Sequence, residues 1–159
     1  MATYNRTATG GGTAGHPANA SVPYVITSPV WDTADGGTGG DVVQLVDVPA
    51  DTMIVSGVLE VLEARGNGQI TLDVGFTGGD VDCFVDGSAC AAGFTPFLEA
   101  AVGASGSNAR MLTSADTIDA LILDAGSTGE SAARFRVHVC MVDISRNPLT
   151  EAATTSSGT

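Results

Sequence analysis

The alternation of apolar and polar residues is clearest around residue 72, where Ile70, Leu72, Val74 and Phe76 are interleaved with Thr71, Asp73 and Gly75. A period of two belongs to a strand, so one face is expected to be buried and the other wet. ARFRVHVCMVDI (133–144) has the same period. Phe135, Val137, Val139 and Met141 fall on one face, with Arg134, Arg136 and His138 opposite; those arginines are expected to meet solvent, a neighbouring acid or a partner. DVVQLVDV (41–48) and TMIVSGVLEVLEA (52–64) predict two further strands, joined tightly through PAD, because proline and aspartate favour turns. DTIDALILD (116–124) predicts another. SVPYVIT (21–27) reads as a strand start or sheet edge, since Pro23 lacks a ladder donor. RGNGQ (65–69) carries the Asn-Gly signal of a hairpin. TADGGTGGD (33–41) and residues 77–110 read as loops, and TPFLEAAVGA (95–104) within the second is expected to hold a short helix starting near Pro96.

Seven or eight short strands with turn signals between them predict an all-β fold. The expected architecture is an antiparallel β-sandwich, for which jelly-roll topology is one suitable arrangement and a barrel the main rival. Composition agrees: 43% hydrophobic residues in 159 supply one domain's core, while 21 glycines and 15% charged residues argue against long helices. The sandwich is assigned to residues 21–146, between an N-terminal arm (1–20) and a polar C-terminal tail (147–159).

The arm, MATYNRTATGGGTAGHPANA, has no apolar run and four glycines between residues 10 and 15. Such a segment buries too little apolar area to offset its ordering entropy, so alone it is expected to be disordered. It reads as an adhesive strap that becomes ordered on a neighbouring subunit, with a reach of roughly 60 Å at about 3.3 Å per residue.

Charge narrows the partners. The formal net charge is −12, from 18 acids against six cations that are all arginine. That surface repels nucleic acid and anionic membranes and favours a neutral or basic protein surface. The sequence shows no bilayer-length apolar run and no secretory layout, so a soluble chain is expected. The sequons at Asn5-Arg6-Thr7 and Asn19-Ala20-Ser21 are accordingly discounted.

Few motifs carry chemistry. Gly10, Gly12 and Gly15 match G-x-G-x-x-G by letter, but no strand precedes them and prolines follow, so a dinucleotide site is not expected. Asp80, Asp82 and Asp86 lie in GGDVDCFVDG, where loop carboxylates suit a hard cation but lack EF-hand spacing; a solvated acidic loop is the plainer reading. His16 and His138 sit in the arm and on a strand's polar face, without metal-ligand spacing. Cys83 and Cys90 are placed to close a hairpin disulfide or to remain two thiols, and Cys140 reads as a small buried hydrophobe. No G-x-S-x-G elbow is present, and one tryptophan with two tyrosines leaves few platforms for a sugar. No enzymatic activity, metal or cofactor is expected.

The succession VVQLVDVPADTMIVSGVLEVLEARGNGQITLDVGFTGGDVDCFVDG, then ADTIDALILDAGSTGESAARFRVHVCMVDI, resembles small β-sandwich virion proteins of tailed bacteriophages, of the head decoration (cement) type. The resemblance covers roughly residues 41–145. It implies a protein of the capsid surface, assembled in the bacterial cytoplasm, that bridges major capsid subunits, commonly as a trimer. The expected partners are the major capsid protein and further copies of the chain. Tyr4, Arg6, His16, Pro17, Tyr24 and Trp31 are the candidate contact residues, because aromatics and arginines anchor interfaces. For Tyr24 and Trp31, core packing competes with that role. A tail or head-fibre component and a carbohydrate-binding sandwich are the alternative functions.

Overall fold

A computed structural model describes residues 23–35, 39–64, 70–76, 78–97, 111–124 and 133–144, and the backbone of residues 3–8. The strands are β1 (Thr3–Ala8), β2 (Tyr24–Thr27), β3 (Trp31–Asp32), β4 (Val42–Val48), β5 (Thr52–Glu63), β6 (Ile70–Gly75), β7 (Val85–Ala89), β8 (Gly93–Pro96), β9 (Met111–Leu112), β10 (Asp116–Asp124) and β11 (Arg134–Asp143). A single 3₁₀ turn covers Thr33–Asp35, and no α-helix occurs among the described residues.

Two sheets form the sandwich. The first runs β1-β4-β10-β6-β7 and the second β2-β11-β5-β8, with β3 added to β11 and β9 to β5. Every ladder is antiparallel except β1 on β4, which is parallel with Thr3 opposite Val42. The all-β sandwich expected from the sequence is the fold observed.

Alternation decides what goes inside. Phe135, Val137, Val139 and Met141 of β11 point into the core, where they meet Leu59 of β5 and Ile70, Leu72 and Val74 of β6. Burying each such side chain contributes about 1.5–3 kcal/mol. Aromatic rings tie the sheets together at one end. Phe76 meets Phe84 edge-on at 5.1 Å between centroids, and Phe84 stacks on Phe97 at 4.8 Å. Phe97 lies over Gly57 so closely that a Cβ there would stand 2.2 Å from the ring.

Several expectations need correction. Residues 3–8, read as part of an unstructured arm, form the β1 edge strand on β4; residues 9–22 lie outside the described part. Residues 77–110 are not all loop, because β7 pairs with β6 and β8 with β5. Thr95 and Pro96, expected to start a helix, belong to β8, an edge strand where a proline's missing donor costs no ladder bond; the rest of that helix falls on undescribed residues. The Asn-Gly turn itself is outside the described residues, but the strands flanking it do not form a hairpin: β5 belongs to the second sheet and β6 to the first. The PAD connection is tight as expected, with Asp51 at φ 55°, and it too crosses between sheets.

The outer side of β6 is also not wet. Asp73 is buried and accepts a hydrogen bond from the Gly87 amide at 2.7 Å. Over Gly75, the backbone of Asp80 and Val81 packs within 2.2–2.7 Å of where a Cβ would be, and the Phe76 amide donates to the Asp80 carbonyl at 2.9 Å. Glycine at 75 is what lets the acidic loop fold down onto the sheet.

Candidate functional site

The outer face of the second sheet collects the polar side of β11. Register places Arg136 beside Glu60 of β5, and Glu60 beside Phe94 of β8. One row along, Thr27 of β2, His138, Val58 and Pro96 line up across four strands. In the next row Val25 flanks Cys140, which flanks Ser56. Cys140 is therefore half-buried on this outer face; the bracketing core residues had disguised its orientation, and the expectation of a buried hydrophobe is corrected.

Glu60 organises the polar part. Its Oε2 accepts from Arg136 Nε at 2.5 Å and lies 2.8 Å from His138 Nε2. His138 Nδ1 is 2.9 Å from Thr27 Oγ1. The neutral imidazole satisfies both contacts by donating from Nε2 and accepting from the Thr27 hydroxyl, and the protonated ring donates to both. The hydrogen bond from Arg136, then that from His138, holds the Glu60 carboxyl below the usual carboxylate range. Arg134 is more loosely placed, 3.9 Å from Asp32 with 48% of its side chain exposed. Three strands are thus joined on the surface by paired charges.

Exposed apolar side chains occur elsewhere on this sheet. Phe94 and Val25 are 69% and 66% exposed, and Val55, Leu62 and Met111 are also exposed on strands of this sheet. Sequence reasoning found the Arg134, Arg136 and His138 face by its period. It missed Phe94, which stands in a segment read as loop, and Glu60, whose partners are 76 and 78 residues away.

The first sheet presents a different face. The described strands β4, β6, β7 and β10 carry Asp47, Asp73, Asp86, Asp116, Asp119 and Asp124 and no basic residue. Burial, offset in part by the Gly87 amide, pushes the Asp73 carboxyl above the usual range, with Asp82 and Asp86 adding to the shift. Asp80 is likewise raised, chiefly because its carboxyl hydrogen-bonds that of Asp82. Asp80 and Asp82 thus sit together, while Asp86 stands apart on β7. No group of three or more metal-ligating side chains occurs among the described residues. Cys83 and Cys90 are both buried and are not joined by a disulfide; burial pushes the Cys83 thiol up to about 12.

Of the candidate contact residues, Trp31 is 2% exposed and belongs to the core, so core packing is the one of its two readings that is observed. Tyr24 is half-buried against the core, and burial raises its phenol above the ordinary value. Tyr4 and Arg6 lie on β1, where only the backbone course is described. His16 and Pro17 are outside the described residues.

No protein-family model matches the chain, and no curated protein sequence does. Solved structures share its fold. A chain in the capsid of Ralstonia phage GP4 superposes with a TM-score of 0.64 at 18% identity, over 89% of this chain and 97% of that one. A chain in the capsid asymmetric unit of cyanophage Pam1 gives 0.52 at 16% identity, over 80% and 91%. The fold is one that phage capsids use.

Proposed function

We propose that this chain is a bacteriophage capsid decoration (cement) protein, which binds the outer surface of the head and stabilises it by bridging major capsid subunits. The observation that carries the reading is the extent of the likeness to the GP4 capsid chain, which spans 89% of this chain and 97% of that one. Leaving β1 aside, the strand orders β2-β11-β5-β8 and β4-β10-β6-β7 suit a jelly-roll, an architecture recurrent in viral capsids. The work is mechanical. A trimer carrying three N-terminal straps attaches at several points, and linked weak contacts raise effective concentration more than any one contact strengthens binding. Tyr4 and Arg6 on the β1 edge strand, with His16, Pro17 and Tyr24, are the residues assigned to the capsid.

The test is binding of the purified full chain to undecorated heads of its phage, read by electron cryomicroscopy and by the temperature at which heads rupture. Saturating density on the outer surface and a higher rupture temperature are expected. A variant lacking residues 2–20, verified as folded by circular dichroism, should lose most of its occupancy. Absence of wild-type binding to heads would sink the proposal.

A further inference from the structure

β1 differs from the other strands in how it is attached. It joins the end of the first sheet by a parallel ladder on β4, with Thr3 opposite Val42 and Asn5 opposite Gln44. β4 is held independently of it, by the antiparallel ladder with β10 and by the burial of Val43, Leu45, Val46 and Val48 in the core. The order β4-β10-β6-β7 is continuous without β1. β1 thus adds backbone hydrogen bonds to a sheet edge, which is how a separate extended peptide adds itself to a sheet.

The connection to the rest of the chain is long. β1 belongs to the first sheet, and β2, the next strand in the chain, to the second. Packed sheets lie about 10 Å apart, whereas residues 9–23 reach up to roughly 50 Å at about 3.3 Å per residue. A parallel pair, unlike a hairpin, is not fastened by a tight turn. The strand on a given β4 can therefore come from any copy whose β2 lies within that reach.

Charge permits the crossing. None of the 18 acids precedes Asp32, and residues 1–31 carry Arg6. The segment that would pass to another copy is thus the acid-free part of a chain whose net charge is −12, and the edge that receives it carries Asp47 and follows Asp41. The tether also lets two bodies stand further apart than the Debye length, about 8 Å at physiological ionic strength, so their mutual repulsion is largely screened.

We propose that the edge of β4 is a strand-binding groove through which copies of this chain exchange β1, residues 3–8 of one copy pairing with β4 of another. The same backbone pairs form either way, so proximity decides which copy supplies the strand. A tether holds a copy's own β1 at an effective concentration in about the millimolar range, and exchange sets in when neighbours are held equally close. The ladder carries this inference, which is independent of the capsid reading.

The register supplies the test. In a full chain carrying Cys140→Ser, the remaining native cysteines are buried. Asn5→Cys in that chain is mixed at about 1 mM with a size-tagged copy carrying Gln44→Cys, and the mixture is oxidised with diamide. The heterodimer should form in at least tenfold excess over that from Asn5→Cys with Leu123→Cys. The double variant Asn5→Cys/Gln44→Cys, kept dilute, should close the bond within one chain. The wild type gives a second readout should a variant fail to fold. Dimer formed at the same concentration should persist on dilution in sedimentation velocity, and an excess of synthetic peptide of residues 1–9 should disperse it. A double variant that closes internally while the mixed single variants give no excess heterodimer overturns exchange, as does a wild type that stays a single copy. Folded variants that form neither bond overturn the groove itself, and a wild-type dimer that the peptide leaves intact overturns β1 as the strand that bridges copies. No heads are used, so failure here leaves the capsid reading standing.

Discussion

Among the described residues, the outer side of β6 in the first sheet is covered by its own chain at Gly75, whereas Phe94 and Val25 on the outer side of the second sheet are exposed. On the first, the loop after β6 folds back over Gly75 and carries the aspartates with it. On the second, Phe94 and Val25 stand in solvent around an ion-paired Glu60. Both sheets supply the same kind of alternating strand to the core. The difference teaches that alternation fixes which residues face inward but not what covers the outward ones, which depends on segments far away in sequence.

The largest expected effect comes from forcing the covered face open. Gly75→Ala places a methyl group against the Asp80 and Val81 backbone, which cannot swing aside as a side chain can; a loss of about 3 kcal/mol in urea denaturation is expected. Val58→Ala, on the outer side of the second sheet, should lose no more than about 1 kcal/mol. Equal losses would erase the contrast between the faces.

Acid titration separates them next. In the fold Asp73 and Asp80 hold their protons to higher pH than unfolded carboxylates do, so stability should rise as pH falls through those raised values. Glu60 acts in the opposite sense. Its contribution is complete above the unfolded carboxylate value and is lost as pH falls through its depressed folded value. Thermal melts taken downward from neutral pH should therefore climb and then drop. Asp73→Asn should flatten the climb, and Glu60→Gln the drop.

The smallest effect on stability is expected at the most exposed ring. Phe94→Thr keeps a good strand former at an edge position and should change stability by less than about 0.5 kcal/mol, as measured by the same denaturation. A large loss would mean that Phe94 is packed within its own chain.

Much of the sandwich was legible in the sequence because β4, β5, β6, β10 and β11 are long enough to show their period. β7 and β8 were not, since VDGSA and GFTP have small or turn-forming residues and owe their strand state to β6 and β5 beside them. The Asn-Gly signal predicted a hairpin, but β5 and β6 enter different sheets, because which sheet a strand joins is set by burial over the whole chain. The polar row of β11 was visible for the same reason as its core row. Its acid partner was not, because no local rule links Glu60 to residues more than seventy positions away. Trp31 shows the converse: a large aromatic draws attention as an anchor, and only packing reveals that it is enclosed.

The pairing of β2 with β11, and of β4 with β10, carries a consequence for synthesis on the ribosome. The earliest-made strands of the sandwich must wait for the last-made ones before their antiparallel ladders can close, so the emerging polypeptide has apolar segments and nowhere to put them. Closure of the sandwich then waits for β10 and β11, and its yield depends on how well the earlier segments are shielded until those strands are made.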